Sequence, residues 1–129
     1  MASLDTNCLL RWFLDDVPEQ RLLVEKLLAS GQPLTVDDAA IIEAVFALEK
    51  GLLLSRATVA AFVTSALASP ITVDRALWRD VLDIWVAHPK LSVVDVYLAA
   101  KADLTDAAPL YTFDQKMVAQ LPAAATVPA

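Results

Sequence analysis

Short β-type runs alternate with longer amphipathic stretches along the whole chain, and this alternation constrains the fold most. The first apolar run is Ala2-Ser3-Leu4, and apolar residues with helical spacing follow from Cys8 to Leu14. Strands separated by helices require right-handed crossovers, which place helices on both faces of a parallel sheet. The sequence therefore predicts an α/β fold, an α/β/α sandwich with a short, mostly parallel sheet of four to five strands.

Capping residues and helix breakers set the predicted boundaries. Gly31 is expected to be the left-handed residue after a helix over 18–30, and Gly51 to end a helix over 39–50 that Asp37 or Asp38 caps. Ser92 and Asp95 have the spacing of a capping box ahead of a helix over 96–103. Further helices are predicted over 55–68 and 74–87, and further strands over 33–36, 71–73, 110–113 and 126–127.

Length and composition indicate one folded domain. The 129 residues are 57% hydrophobic and 20% charged, which is far from the composition of a disordered chain. A core of this size does not normally divide, so residues 1–129 are predicted to form a single domain. No apolar window is long enough for a membrane span and no signal peptide is recognisable, so a cytoplasmic location without membrane contact is expected.

Several kinds of chemistry are excluded by the residue inventory. The two glycines lie in no phosphate-binding motif, which excludes Rossmann dehydrogenases and P-loop NTPases. One cysteine, Cys8, and one histidine, His88, exclude internal disulfides, zinc clusters and histidine-based metal sites. A net charge of −6 argues against a broad electrostatic contact with nucleic acid. The class of chemistry that the residue inventory leaves is one carried by carboxylate side chains.

Acidic residues recur where predicted strands end and helices begin. These positions share one rim of a parallel sheet, the usual place for a ligand. Helix capping suffices to explain Asp37, Asp38 and Asp74. The remaining acids at this rim are Asp5, Glu43, Asp95 and Asp114.

Glu43 is the least easily explained of these four. It is the only charged residue between Ala39 and Leu48, and its neighbours three and four positions away are alanine or phenylalanine. We therefore expect apolar surroundings, in which a carboxylate must be neutralised, hydrogen-bonded or bound to a cation. Glu49, near the helix end, is expected to be solvated.

Each of the other three acids has a structural alternative. Asp95 can serve the capping box with Ser92, and Asp5 and Asp114 can form turns after strands. Taken together, four carboxylates without histidine or thiolate partners suit Mg²⁺ or Mn²⁺, which prefer oxygen ligands. Such a site activates water and stabilises charge on a transferring phosphoryl group.

Four segments in this order resemble a known family. They are the run from Leu4 to Arg11, Glu43 in its apolar helix, the run from Asp95 to Ala100, and Thr112-Phe113-Asp114. The chain resembles the PIN-domain ribonucleases from Ser3 to about Met117, in particular the VapC-type toxins of toxin–antitoxin pairs. Two local departures are His88-Pro89-Lys90-Leu91 before the third segment and the absence of a glycine between Leu104 and Pro109.

The resemblance implies a metal-dependent endoribonuclease that hydrolyses RNA phosphodiester bonds as the toxin of a type II toxin–antitoxin system. It implies Mg²⁺ or Mn²⁺ as cofactor, a homodimer, and a cognate antitoxin that inhibits the site. Asp5, Asp95 and Asp114 then match the metal-anchoring positions, and Glu43 either binds the metal or orients a water. Polar positions that support the site correspond to Asn7 and Thr112.

Other residues allow more than one interpretation. Arg11 and Lys116 can contact RNA or an antitoxin, or can be solvated cations. Trp78 and Trp85, seven residues apart on one helical stripe, favour core or dimer packing over base stacking. The apolar content of the helices over 55–68 and 74–87 exceeds what a small sheet needs and suggests a partner surface for a second copy or an antitoxin.

Two alternative functions belong to other classes of protein, a binding module and a phosphoryl-transfer domain. The chain can be a catalytically weak PIN-like binding module that acts through its antitoxin complex in transcriptional autoregulation. It can also be a phosphoryl-transfer domain with a nucleophilic aspartate. The second alternative is disfavoured because Asp5-Thr6-Asn7 lacks a second aspartate two residues after the first.

Overall fold

The computed structural model describes all 129 residues. They form two compact units, Met1–Val73 and Asp74–Ala129. The first unit contains β1 (Ala2–Leu4), α1 (Thr6–Phe13), α2 (Pro18–Ala29), β2 (Leu34–Val36), α3 (Asp38–Phe46), a π-helical turn (Ala47–Gly51) and α4 (Arg56–Leu67). The second contains α5 (Arg75–Ala87), α6 (Val93–Leu104), β3 (Leu110–Tyr111), α7 (Gln115–Gln120) and β4 (Ala125–Thr126).

The strands of the first unit are parallel. In register, β1 pairs with β2 so that Leu4 lies opposite Val36. Thr72 adds a single parallel bridge to Thr35, with its amide donating to the Leu34 carbonyl at 2.7 Å. The predicted strand over 71–73 is therefore reduced to one bridge. The apolar side chains of these strands are buried, which gives α1, α3 and α4 a common surface to cover.

Capping explains where the helices of the first unit begin. Asp37 accepts a hydrogen bond from the Ala39 amide at 2.9 Å, and Ser55 accepts one from the Thr58 amide at 3.2 Å, as predicted. Pro18 occupies the first position of α2, where a missing amide hydrogen costs nothing. After α2, Gly31 has a φ of 78°, the left-handed conformation expected of it.

The second unit is built on the pair α5 and α6. The rings of Trp78 and Tyr97 stack across this pair with their centroids 5.6 Å apart. Trp78 and Trp85 are fully buried, which confirms the prediction that their stripe packs in a core. The strands β3 and β4 are again parallel.

The structure confirms an α/β fold with short parallel strands. Ladder hydrogen bonds join these strands as two pairs, one in each unit, and the predicted strand over 110–113 narrows to two residues. Asp106 has a φ of 57° in the loop that lacks a glycine. Aspartate tolerates this left-handed conformation better than most residues, so the chain makes the turn without glycine.

The expectation that the helices over 55–68 and 74–87 need a partner to cover their apolar residues is wrong. The large apolar side chains of α4 and α5 are buried in the chain itself, except for Val86 and the half-buried Phe62 and Ile84. The sequence count overestimated the surplus because it assumed that only a small sheet had to be covered. No helix of the structure combines the length and apolarity that a membrane crossing requires.

Candidate active site

In the first unit, two candidate acids follow neighbouring strands. Asp5 comes directly after β1 and Asp37 directly after β2, and the parallel register brings the ends of these strands to one edge. Asp5 is the N-cap of α1, where its Oδ1 accepts a hydrogen bond from the Cys8 amide at 3.1 Å. The carboxylate is therefore held in place by the backbone while it remains exposed to solvent.

A hydrogen bond ties the beginning of α1 to α3. The Thr6 hydroxyl donates to the Ala40 carbonyl at 3.4 Å. Ala40 and Glu43 lie three residues apart on one face of α3, so this contact brings Asp5 and Glu43 onto adjoining elements. Sequence reasoning missed Thr6, because a contact across 34 positions has no local signal beyond a hydroxyl next to an acid.

The surroundings of Glu43 differ from the prediction. Its side chain is exposed, and so are Ala39 and Phe46 on the same side of α3. The buried side of this helix consists of Ile41, Ala44 and Val45. The prediction of apolar burial is wrong because the apolar neighbours of Glu43 themselves face solvent, which leaves the carboxylate free to reach a ligand.

Glu49 also differs from its expected solvation. Its Oε2 accepts a hydrogen bond from the Nε of Arg56 at 2.7 Å, and the two side chains are only 14% and 15% exposed. This ion pair joins the π-helical turn to α4. Glu49 therefore has a structural role.

In the second unit, Asp95 lies in the first turn of α6 and is half-buried. Its Oδ2 accepts from the Ser92 amide, and its own amide donates to the Ser92 hydroxyl, both at 3.1 Å. The capping box proposed as the structural alternative is thus present. It fixes the position of the carboxylate but uses only one of its two oxygens.

Asp114 begins α7 and has the most backbone support. Its Oδ1 accepts from the amides of Lys116 at 2.9 Å and Met117 at 3.3 Å. The Thr112 hydroxyl accepts a hydrogen bond from the Asp114 amide at 3.0 Å. Thr112 therefore fixes the backbone that carries the carboxylate, the geometry expected of a supporting residue.

The three aspartates share a binding geometry that suits a cation. In Asp5, Asp95 and Asp114, one carboxylate oxygen accepts hydrogen bonds from backbone amides, and in Asp95 and Asp114 the other has no hydrogen bond within the protein. Carboxylate oxygens are the donors that Mg²⁺ and Mn²⁺ prefer, so this set fits such an ion chemically. Asp37 and Asp74 have the same cap geometry. Capping alone therefore does not distinguish a metal ligand.

The remaining predicted residues lie around these acids. Asn7, exposed and without a side-chain hydrogen bond, lines a cavity of about 220 Å³ beside α1 and α2 together with Cys8 and Arg11. Arg11 pairs with Asp16 at 3.1 Å, and its buried Nε has no hydrogen-bond partner. Lys116 is exposed and forms no ion pair.

Two candidate acids belong to each unit: Asp5 and Glu43 to the first, and Asp95 and Asp114 to the second. Neither unit gathers three or more histidine, cysteine or acidic side chains that could together hold a metal ion. The four-carboxylate site therefore stays a prediction, supported by the local geometry of each acid.

Comparison with known proteins identifies the family. The model of the PIN domain family matches residues 2–121, nearly the whole chain, including most of both units. No curated protein and no solved structure matches. PIN domains have an α/β/α fold, which agrees with the predicted fold class, and are in general nucleases that depend on Mg²⁺ or Mn²⁺. The chain belongs to the PIN domain family.

Proposed function

We propose that the protein is a metal-dependent endoribonuclease that acts as a VapC-type toxin of a type II toxin–antitoxin system. The observation that carries this proposal is the match of residues 2–121 to the PIN domain family, and the local geometry of Asp5, Asp95 and Asp114 is compatible with it. Backbone amides hold one oxygen of each carboxylate, and in Asp95 and Asp114 they leave the other available. All three stand within the segment that matches a family of metal-dependent nucleases.

Asp5, Asp95 and Asp114 would hold Mg²⁺ or Mn²⁺. A divalent ion bound there supplies a Lewis acid that stabilises negative charge on a phosphoryl oxygen. Glu43, exposed and without an ion pair, is available either as a further ligand or to orient the attacking water. Thr112 and Thr6 hold Asp114 and α1 in position.

Because the protein carries a net charge of −6, a bound divalent ion would also strengthen RNA binding. At a net charge of −6, the carboxylates repel phosphate, and bound cations reduce that repulsion. One or two divalent ions would change the formal charge to about −4 or −2. We therefore expect RNA to bind more tightly when a divalent ion is present.

The partners belong to the same proposal. A cognate antitoxin would restrain the nuclease, and two copies of the chain would form a homodimer. Arg11 and Lys116 are candidate contacts for RNA or antitoxin. Exposed apolar side chains on α2, Leu22 and Leu23, give the first unit an apolar surface that a protein partner could cover.

Cleavage of total RNA by the antitoxin-free protein tests the function. We expect discrete fragments with Mg²⁺ or Mn²⁺, none with EDTA, and at least about a 100-fold loss of rate in Asp5→Asn. Asparagine caps helices as well as aspartate does, so in EDTA this variant should unfold at the wild-type temperature. Asp74→Asn is the matched control, because Asp74 caps α5 without being a candidate ligand.

Two outcomes would contradict the proposal. Retained cleavage in Asp5→Asn would remove Asp5 from the site. Absence of cleavage in folded wild-type protein with every metal would favour the alternative of a binding module that acts through its antitoxin complex.

A further inference from the structure

Two aromatic side chains at the end of β3 are unusually exposed. Phe113 is 78% exposed and Tyr111 is 65% exposed, the highest values among the aromatic residues of the chain. The tryptophans, by contrast, are buried or half-buried. Two large rings kept in water forgo the burial that normally stabilises aromatic residues, so their position calls for an explanation.

The two rings lie on one side of an extended segment. Exposure alternates from residue 110 to 114, since Leu110, Thr112 and Asp114 are half-buried and the aromatic residues between them are exposed. The Thr112 amide donates to the Thr126 carbonyl at 3.0 Å, which continues the pairing with β4 beyond β3. Alternate residues of an extended segment point to the same side, about 6.6 Å apart.

This spacing and the neighbouring groups suit a nucleotide. The backbone positions that carry the two rings are about 6.6 Å apart, which is about twice the 3.4 Å spacing of stacked bases. Asp114 directly follows Phe113, and the exposed ammonium of Lys116 lies two residues farther on. An aromatic pair, a candidate metal ligand and a phosphate-binding cation thus occur within six residues of one another.

We propose that Tyr111 and Phe113 form a stacking platform for an unpaired base of the RNA substrate beside Asp114. This inference rests on the proposed function and deepens it, because a stacking platform requires a splayed base and so selects single-stranded RNA. Lys116 would bind the backbone phosphate of the same strand. Since every base has a π face, the platform places the strand without reading its sequence.

Binding of a short single-stranded RNA that carries 2-aminopurine tests the platform. The assay is done in EDTA at physiological ionic strength, so that the RNA stays intact. We expect the wild type to quench the 2-aminopurine fluorescence by stacking. Phe113→Ala and Phe113→Leu should weaken binding by about 5- to 100-fold and abolish the quenching, whereas Phe113→Trp should retain both. Leu22→Ala is the control for loss of an exposed apolar side chain.

Several results would overturn the inference. One is wild-type RNA affinity in Phe113→Ala, and another is a loss of RNA affinity in Leu22→Ala as large as that in Phe113→Ala. A third is equal affinity of the wild type for single-stranded RNA and for the RNA duplex. A fourth is a change of oligomeric mass in Phe113→Ala with unchanged RNA binding.

A cleavage assay on the same proteins separates this inference from the proposed function. Suppose that cleavage depends on metal and is abolished in Asp5→Asn, but that Phe113→Ala binds RNA as the wild type does. This result would support the nuclease and reject the stacking platform. Absence of cleavage, combined with RNA binding that needs Phe113, would reject the nuclease and support the platform.

Discussion

At the scale of single residues, the candidate aspartates combine two tasks that one carboxylate can perform. Accepting backbone amides at a helix start stabilises the fold, and in Asp95 and Asp114 the second oxygen remains available for a cation. Asparagine can accept the backbone amides as aspartate does, but it carries no negative charge with which to bind the cation. Aspartate-to-asparagine variants therefore separate stability from metal binding at each position.

The pKa of the Cys8 thiol depends on the charge of its neighbour Asp5. Burial raises the pKa of the Cys8 thiol above its usual value, and the negative charge of Asp5 raises it further. A raised thiol pKa means less thiolate at a given pH, so alkylation in EDTA should be slower than in the urea-unfolded protein up to the raised pKa. Asp5→Asn should accelerate alkylation of the folded protein about two- to fourfold, because it removes that charge.

The rate of iodoacetamide labelling, followed by mass spectrometry as a function of pH, measures this effect. Asp16→Asn is a suitable control, since this aspartate pairs with Arg11 and is not among the causes of the shift. An unchanged labelling rate in Asp5→Asn would mean that burial alone sets the thiol pKa.

At the scale of elements, the boundary between α3 and the π-helical turn separates the two glutamates, with Glu43 before it and Glu49 after it. An α-helix that continued through Ala47–Gly51 would keep the 3.6-residue period, whereas a π-helical turn shifts the side chains that follow. Leu48 is fully buried there and Glu49 meets Arg56. Sequence periodicity assumes an unbroken helix, which is why it misplaced Glu49, whereas Glu43 was misplaced because its apolar neighbours themselves face solvent.

Alanine substitution of the two glutamates should therefore give opposite results. Glu49→Ala removes the carboxylate that holds Arg56 in a nearly buried pair and should lower the free energy of unfolding by about 1–3 kcal/mol. Glu43→Ala, on the exposed side of α3, should change it by less than about 0.5 kcal/mol. Urea denaturation measures both values, and equal values for the two variants would contradict the assigned roles.

At the scale of the whole molecule, the acids that would hold a metal come from distant parts of the sequence. Asp5 and Asp114 are separated by more than 100 positions, and Asp5 belongs to the first unit and Asp114 to the second. A ligand that needs residues from the entire chain binds the folded state only. Metal binding and overall stability should therefore be coupled.

Thermal unfolding in the presence of Mn²⁺ or Mg²⁺ tests this coupling. At about 100 times the dissociation constant, the ion should stabilise the wild type by about 2.7 kcal/mol and raise its midpoint temperature. Asp114→Asn keeps the cap of α7 and should lose most of this increase, while Asp74→Asn should retain it. The same increase in all three proteins would assign the bound ion to other residues.

The sequence by itself determined the order of helices and strands, most of the caps and the α/β class, because these depend on local periodicity and on side chains that bond to nearby amides. Asp37, Asp74 and Ser92 cap helices where their positions indicated. Only the tertiary structure decided which side of α3 faces solvent, that Thr6 reaches Ala40, and that Tyr111 and Phe113 stay exposed. Each of these depends on which surfaces meet after the chain has folded, and no local pattern encodes that.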